Sequence, residues 1–329
     1  MSVLYLTEQG ATVTKSGERI LVRKDGQLLT ELPAIHVEQI VVFGNAQFTT
    51  PAVNFVLSQG IDVAYLSSHG TYRGRLQHAF AKDASLRRAQ YQLADNPDFC
   101  LTLAKSLVSG KIHNSLVLAQ RQRRRDAEVK AAIRQLRRAQ DEVQTASDLE
   151  AVRGYEGSSA AAYFRTFRKT LRQDLGFRVR RHRPPPDPVN VLLSLGYTLL
   201  YNQTFAAINV VGLDPYMGFF HQTHHGHATL ASDLMEEWRA LLVDSVVLGL
   251  LNRQEVTASE FRTQKGRVRL SDAGRATFLR AYDARLRSDV IYAPTQQRMA
   301  YRRCIELQVR QLARVLTHQP SSYEPFKTR

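Results

Sequence analysis

The segment QHAFAKDASLRRAQYQL, residues 77–93, marks the point at which the hydrophobic pattern of this chain changes period. Before it, apolar residues come in short β-branched or aromatic runs: Val3-Leu4-Tyr5-Leu6, Ile20-Leu21-Val22, Leu28-Leu29, Ile40-Val41-Val42-Phe43 and Val63-Ala64-Tyr65-Leu66. Such runs, separated by turn residues, read as strands. Asp25-Gly26 between two of them is a dipeptide preferred in two-residue hairpin turns, where both positions need positive φ. One helix is expected among the strands, at residues 51–59, with Thr50 as cap, Pro51 at its first position and Gly60 as its stop. From Ala84 onward, over 86–93, 99–109 and 112–149, apolar residues recur every three or four positions, with Pro97 and Gly110 as punctuation. That is the helical period. The pattern predicts an α+β chain: a small β-rich domain over residues 1–84, with a hinge at about 77–85, then a larger, mostly α-helical domain over 85–329.

Charge divides the chain in the same place. Up to Arg75 there are six bases and six acids, so the net +15, from 45 Lys and Arg against 30 Asp and Glu, belongs wholly to the remainder. A neutral segment joined to a polycationic one suits a nucleic-acid-binding domain beside a domain with another task, although anionic lipid or an acidic protein would meet the same charge. The two cysteines, Cys100 and Cys304, are far apart and form no CxxC, which excludes a disulfide framework or a cysteine zinc site and fits a reducing cytosol. The start of the chain has no basic-then-apolar signal pattern, and the apolar stretch 240–251 is interrupted by Asp244 and too short to span a bilayer. A cytoplasmic protein without a membrane partner is expected.

Several groups in the helical part are suited to chemistry on phosphate. Between 121 and 138, Arg121, Arg123, Arg124, Arg125, Lys130, Arg134, Arg137 and Arg138 stand against Asp126 and Glu128, as a solvated face with intrahelical ion pairs or as a phosphate-contacting surface. Gly154-Tyr155-Glu156-Gly157 then precedes an Ala-rich run to Leu171. Glu156 is expected at a helix entrance, where it complements the helix dipole or serves as a metal ligand, the glycines letting a phosphate approach the backbone. This run and its exit carry Arg165, Arg168, Lys169, Arg172, Arg178, Arg180, Arg181 and Arg183 against Asp174 alone. Bases that hold a strand beside carboxylates that hold an ion are what a metal-centred polynucleotide site requires. Asp187 as cap and Pro188 at the first position open an apolar helix over about 189–210, in which Asn190, Tyr197 and Asn202 are polar exceptions in the core or in support of a site.

GFFHQTHHGHATLASDLMEEWR, residues 218–239, is an acidic cluster in a basic chain. Asp233 and Glu236 are three apart, so on a helix beginning near Asp233 they would share a face, and the preceding loop would let His221 fold back towards them as part of a metal site. Asp233-x-x-Glu236 also reads as a self-contained helix N-terminus resembling a capping box. A zinc site from His221, His224, His225 and His227 is disfavoured, because no glutamate follows His221 in the HExxH pattern and Gly226 interrupts the run. A purely architectural DNA-binding protein, without chemistry, is a further reading of the basic helices. Beyond this stretch come short β-compatible pieces around Gly266, helices over 271–288 and 296–316, tyrosines 282, 292 and 301 as core or base-stacking groups, and a proline-containing end expected to fray.

Tyr155-Glu156-Gly157, RPPPDPVNVLLSLGYTLLY (183–201), GLDPYMGFFH (212–221) and ASDLMEEWR (231–239) follow in an order that resembles the Cas1 family, the CRISPR-associated integrase of spacer acquisition. The resemblance covers most of the chain. It implies a β-rich domain that forms a homodimer and a helical domain that holds Mg²⁺ or Mn²⁺ through Glu156, His221 and Glu236, with Asp233 as a supporting carboxylate. It also implies a complex with the small Cas2 protein and a reaction on double-stranded and branched DNA, in which short fragments are inserted into a CRISPR array. Two carboxylates and an imidazole suit these ions better than a structural zinc. Arg165, Arg168, Arg178, Arg181 and Arg183 are the basic residues expected at the DNA.

Overall fold

A computed structural model describes residues 2–76, 84–121, 126–181, 184–222, 224–264, 266–318 and 322–328. The chain divides into two compact units, Met1–Phe80 and Ala81–Arg329. Most of the expected hinge, residues 77–83, lies outside the described residues, and Ala84 and Ser85 already belong to a helix.

The first unit contains β1 (Ser2–Leu6), β2 (Ala11–Ser16), β3 (Arg19–Lys24), β4 (Gln27–Pro33), β5 (Val37–Phe43), β6 (Ala46–Phe48), α1 (Thr50–Ser58), β7 (Asp62–Leu66) and β8 (Tyr72–Leu76). They form two four-stranded sheets, ordered β1-β5-β7-β8 and β4-β3-β2-β6. Strands β1, β5 and β7 run parallel, and the central β5 is buried along Ile40-Val41-Val42-Phe43, as a parallel strand covered on both faces must be. Asp25 and Gly26 have φ of 49° and 79°, which turns the β3–β4 hairpin as expected. The cap of α1 is Thr49, whose side chain accepts from Ala52 N–H, one residue earlier than the sequence suggests.

The second unit is mostly helical: α2 (Ala84–Ala94), α3 (Pro97–Arg121), α4 (Ala127–Glu142), α5 (Leu149–Thr170), α6 (Pro188–Val211) and α7 (Thr229–Met235), then a 3-10 turn (Glu236–Trp238), a π-helical turn (Arg239–Asp244) and α8 (Ser245–Asn252). Next come β9 (Phe261–Gln264), β10 (Arg267–Leu270), α9 (Asp272–Arg287), β11 (Asp289–Tyr292), β12 (Gln297–Ala300) and α10 (Tyr301–Thr317). The chain is therefore α+β, with a β-rich first part and a helical second part. Asp187 caps α6 by accepting from Asn190 N–H (2.9 Å), and Gly212 ends it with φ of 99°. By length and composition α6 could cross a membrane, but 78% of its apolar window is buried inside the fold.

Several local expectations are corrected. Gly110 does not punctuate a helix: α3 runs through it, and a Cβ there would come within 2.6 Å of Pro325 Cβ, so glycine serves close packing. The helical stretch expected over 112–149 is divided between α3, α4 and the start of α5. Strand β12, paired with β11, occupies the start of the helix expected over 296–316, and α10 begins only at Tyr301. Tyr282, Tyr292 and Tyr301 are buried packing residues, in line with the core reading rather than base stacking. The chain end does not fray over 322–328, since Tyr323 and Phe326 are buried.

Candidate active site

His221 is carried by the loop between α6 and α7. This loop returns along the start of α7, where Gly218 N–H donates to Thr229 Oγ1 (2.9 Å). A Cβ on Gly218 would lie 2.7 Å from Asp233 Oδ2 and 2.8 Å from the Thr229 carbonyl carbon, an approach only glycine permits. The fully buried Asp233 carboxylate then gathers the loop. Phe219 and Phe220 N–H donate to Oδ2 (2.7 and 3.1 Å), His221 N–H donates to Oδ1 (3.0 Å), and His221 Nδ1 lies 2.6 Å from that same Oδ1. The carboxylate can only accept, so Nδ1 carries the proton. Nε2 faces Glu236 Oε1, 3.9 Å away. Burial would lower the pKa of His221, but the bond to Asp233 and the negative charges of Asp233 and Glu236 together outweigh it and raise that pKa. Asp233 is therefore no helix cap: α7 begins four residues before it, at Thr229, and the capping reading of Asp233-x-x-Glu236 fails.

Glu156 lies inside α5, about two turns beyond its start. Asp148 caps that helix by accepting from Ala151 N–H (2.8 Å), so the placement of Glu156 at a helix entrance, and the dipole role that went with it, are overturned. The apolar period simply begins earlier, with Val152 buried. A Cβ at Gly154 or Gly157 would meet no atom within 4 Å, which leaves both open.

The two glutamates meet at Lys111 of α3. Its Nζ pairs with Glu156 Oε1 and lies 2.6 Å from Glu236 Oε2. Arg239 approaches the other oxygen, Glu236 Oε1, at 2.9 Å. Glu236 is only 3% exposed; burial would raise its pKa, but Arg239, Lys111 and His221 together hold it at about 2. Lys111 answers in the same way, since the carboxylates raise its pKa against the effect of burial. Sequence reading missed Lys111, whose signal is a lysine between the buried positions Gly110 and Ile112. It also missed Arg153, which donates to the Phe220 carbonyl (2.8 Å) and ties the His221 loop to α5.

Glu156, His221 and Glu236 thus converge on one place from α5, a loop and the turn after α7. As the side chains stand, no three His, Cys, Asp or Glu among the described residues are close enough to hold a metal ion, and Lys111 Nζ stands between two of the expected ligands. The donor set nevertheless fits a hard divalent ion. Glu236 Oε2 is buried without a well-aligned hydrogen bond, and a carboxylate bonded to Nδ1, as Asp233 is, orients imidazoles whose Nε2 binds metal. His224 and His225 are exposed on the loop, whereas His227 stacks on Tyr201 and bonds to Ser232 (2.9 Å).

On the far side of the 3-10 turn, Glu237 faces the chain end. Tyr323 O–H donates to its Oε1 (2.8 Å), and Phe326 N–H donates to its Oε2. Asn114 Nδ2 donates to the Phe326 carbonyl (2.8 Å) and Thr328 N–H donates back to Asn114 Oδ1 (2.9 Å), which fixes residues 322–328 against α3.

The basic residues are less uniform than the sequence suggests. Arg165 and Arg181 are exposed, Arg165 donating to Gln135 Oε1 (2.6 Å). Arg168 pairs with Glu128 (3.5 Å) and Lys169 with Asp126 and Glu128, so Asp126, which caps α4, and Glu128 in its first turn also tie α4 to α5. Arg178 pairs with Asp174 at the surface (3.3 Å). Arg180 is held by Asn190 (2.9 Å) and lies over the Tyr197 ring, as Arg239 does, at 5.1 and 4.7 Å. Lys130, Arg134, Arg137 and Arg138 are exposed and make no ion pair among the described residues. Arg123, Arg124, Arg125 and Arg183 lie outside the described residues.

Comparison with known proteins agrees on one family. The family model for CRISPR associated protein Cas1 matches residues 4–284. The CRISPR-associated endonuclease Cas1 3 of Thermus thermophilus is 40% identical over 332 residues, spanning 100% of this chain and 98% of that protein. Among solved structures, a casposase bound to integration product has the same fold, with a TM-score of 0.87 at 21% identity over 100% of this chain and 95% of that one. A chain of a Cas6-RT-Cas1–Cas2 complex gives a TM-score of 0.84 at 27% identity, over 100% of this chain and 36% of that longer one. With the match running through both units and through the residues that converge on Lys111, the chain belongs to the Cas1 family.

Proposed function

We propose that this protein is a metal-dependent DNA integrase and endonuclease that inserts short DNA fragments into a CRISPR array. The observation that carries the reading is the convergence of Glu156, His221 and Glu236 on one point, with Asp233 fixing the imidazole. In the reaction, the 3′-hydroxyl of a captured DNA end attacks a phosphodiester at the repeat boundary. One phosphorus–oxygen bond forms as another breaks, so no external energy source is needed; water in place of the hydroxyl gives cleavage. Glu156, His221 Nε2 and Glu236 would hold Mg²⁺ or Mn²⁺, which when bound supplies polarisation of the phosphoryl oxygen and stabilises the leaving oxygen. Asp233 keeps the Nδ1 proton in place, and so keeps the Nε2 lone pair towards Glu236. Arg239 supplies positive charge beside the reacting phosphate, and Arg165, Arg168, Arg178, Arg181 and Arg183 would hold the strands. The reading includes a homodimer formed through the β-rich unit and a complex with a Cas2 partner. Support comes from the endonuclease name of the Thermus relative, the integration product bound to the casposase, and the Cas1–Cas2 complex among the structural neighbours.

The test is an integration assay on a supercoiled array plasmid with short duplex DNA, Mn²⁺ and the Cas2 partner. His221→Ala is expected to abolish product while DNA binding persists. Full product in that variant, or indifference of the wild type to chelator, would leave only an architectural DNA-binding protein.

A further inference from the structure

Lys111 does something at this site that the reaction alone does not explain: its ammonium sits on the same two carboxylates that are expected to hold the ion. We propose that Lys111 is an exchangeable counter-cation of the Glu156–Glu236 pair, holding the two carboxylates together when no divalent ion is present and being displaced when one enters. The inference rests on the metal-dependent reading given above.

Three observations carry it. Lys111 Nζ touches one oxygen from each glutamate, Glu156 Oε1 on α5 and Glu236 Oε2 beyond α7, so it occupies the space that a shared ion would need. Its hold on Glu236 comes from charge more than from a directed bond, since Oε2 accepts no well-aligned hydrogen bond. Glu236 also has a second cation of its own, with Arg239 2.9 Å from Oε1, so withdrawal of Lys111 does not leave Glu236 unpaired.

Charge balance gives the exchange its direction. Glu156 and Glu236 are matched by Lys111 and Arg239. With the Asp233 carboxylate behind a neutral His221 included, a divalent ion added with both cations in place would leave one net positive charge in a largely buried cluster, which low local dielectric makes costly, and the departure of one cation restores neutrality. One cation has to leave. Arg239 is pinned over the Tyr197 ring (4.7 Å), whereas a lysine is a point charge on a flexible four-carbon stem and can swing away without breaking a planar fork. The affinity of the site for the ion is then set by competition with the protein's own ammonium.

The experiment is a Mn²⁺ titration of the full chain, followed by electron paramagnetic resonance of the free ion at fixed pH and ionic strength. Lys111→Met is expected to bind Mn²⁺ on the order of tenfold more tightly than the wild type, to melt below it in chelator, and to gain more in Tm on adding Mn²⁺. Unchanged or weakened Mn²⁺ affinity would overturn the exchange. If Lys111→Met does not fold even with Mn²⁺, Lys111→Gln is titrated with the same two outcomes. Glu236→Gln separates the two ideas. If the wild type binds no Mn²⁺, or Glu236→Gln binds it equally well, the metal reading falls and the exchange with it. If Glu236→Gln loses the ion but neutralising Lys111 leaves affinity unchanged, the exchange alone falls.

Discussion

Glu236 and Glu237 are consecutive, nearly inaccessible carboxylates on one 3-10 turn, yet one is held at about 2 and the other pushed up to about 8. A 3-10 turn sets consecutive side chains roughly a third of a revolution apart, so Glu236 faces α5 and the His221 loop while Glu237 faces α10 and the chain end. Burial acts on both alike, in the direction of the neutral acid. The difference lies in the partners. Glu236 has Lys111, Arg239 and His221, whereas Glu237 has Tyr323 O–H, the Gln308 side-chain amide and Phe326 N–H, all neutral donors. At Glu237 these hydrogen bonds do not offset burial, whereas at Glu236 the neighbouring cations do. The turn thus separates a face built to keep negative charge from a face built to lock the chain end in place.

The largest effect that would sharpen this contrast is on activity. Glu236→Gln preserves shape and removes the charge, and integration is expected to fall by about 10⁴-fold, equivalent to about 5.5 kcal/mol, with DNA affinity nearly unchanged in a gel-shift titration. Glu237→Gln should keep most of its activity; an equal loss in both variants would break the comparison. On the other face the readout is stability. Phe326 stacks on Trp238 at 4.6 Å between centroids and packs on Tyr301, so Phe326→Ala is expected to cost about 3–5 kcal/mol in denaturant unfolding. A loss below about 1 kcal/mol would mean that the chain end is only loosely attached.

The contrast also marks where the sequence could be read and where it could not. The β-rich start, the change to helical period, the cap at Asp187 and the turn at Asp25-Gly26 are written in local patterns, and local rules recovered them. Glu156, His221 and Glu236 were legible as a set only through their resemblance to a family, because they come from three separate elements. The helix start at Asp148 was missed because Gly154 and Gly157 look like breakers, yet the packing of α5 on α3 and α4 carries the helix through them. Lys111 and the packed chain end were not legible at all. Each depends on long-range partners: a lysine between two glutamates 45 and 125 residues away in sequence, and a tail held by Asn114 and Glu237.

A pH titration tests the Glu237 face more finely. Its folded pKa of about 8 stands above the ordinary 4.5, so as pH rises the unfolded chain releases this proton first. The stability contributed is full below about pH 4.5 and is lost progressively up to about pH 8. Between pH 5 and 7.5 the wild type is expected to lose about 3 kcal/mol that Glu237→Gln does not lose. Parallel stability curves for the two proteins over that interval would show that the neutral donors stabilise the ionised form after all.

The smallest expected effect concerns Asp233, a third buried carboxylate one turn before the pair. It has neither the cations of Glu236 nor the tyrosine of Glu237, but three backbone N–H groups and His221 Nδ1. Asp233→Asn can keep an oxygen towards Phe219 and Phe220 only by turning its amide N–H₂ towards His221. The imidazole must then accept at Nδ1 and carry its proton on Nε2, the nitrogen that faces Glu236. Reversing a tautomer costs little, so the expected loss of Mn²⁺ affinity is about 10–100-fold, the range seen when a group behind a metal ligand is changed. A purely structural role for Asp233 would lower stability without moving the imidazole proton. Nitrogen-15 spectra of the His221 ring separate the cases: a switch of the proton from Nδ1 to Nε2 is expected in Asp233→Asn, and a ring unchanged from the wild type would return Asp233 to the class of Glu237, a carboxylate that holds chain rather than chemistry.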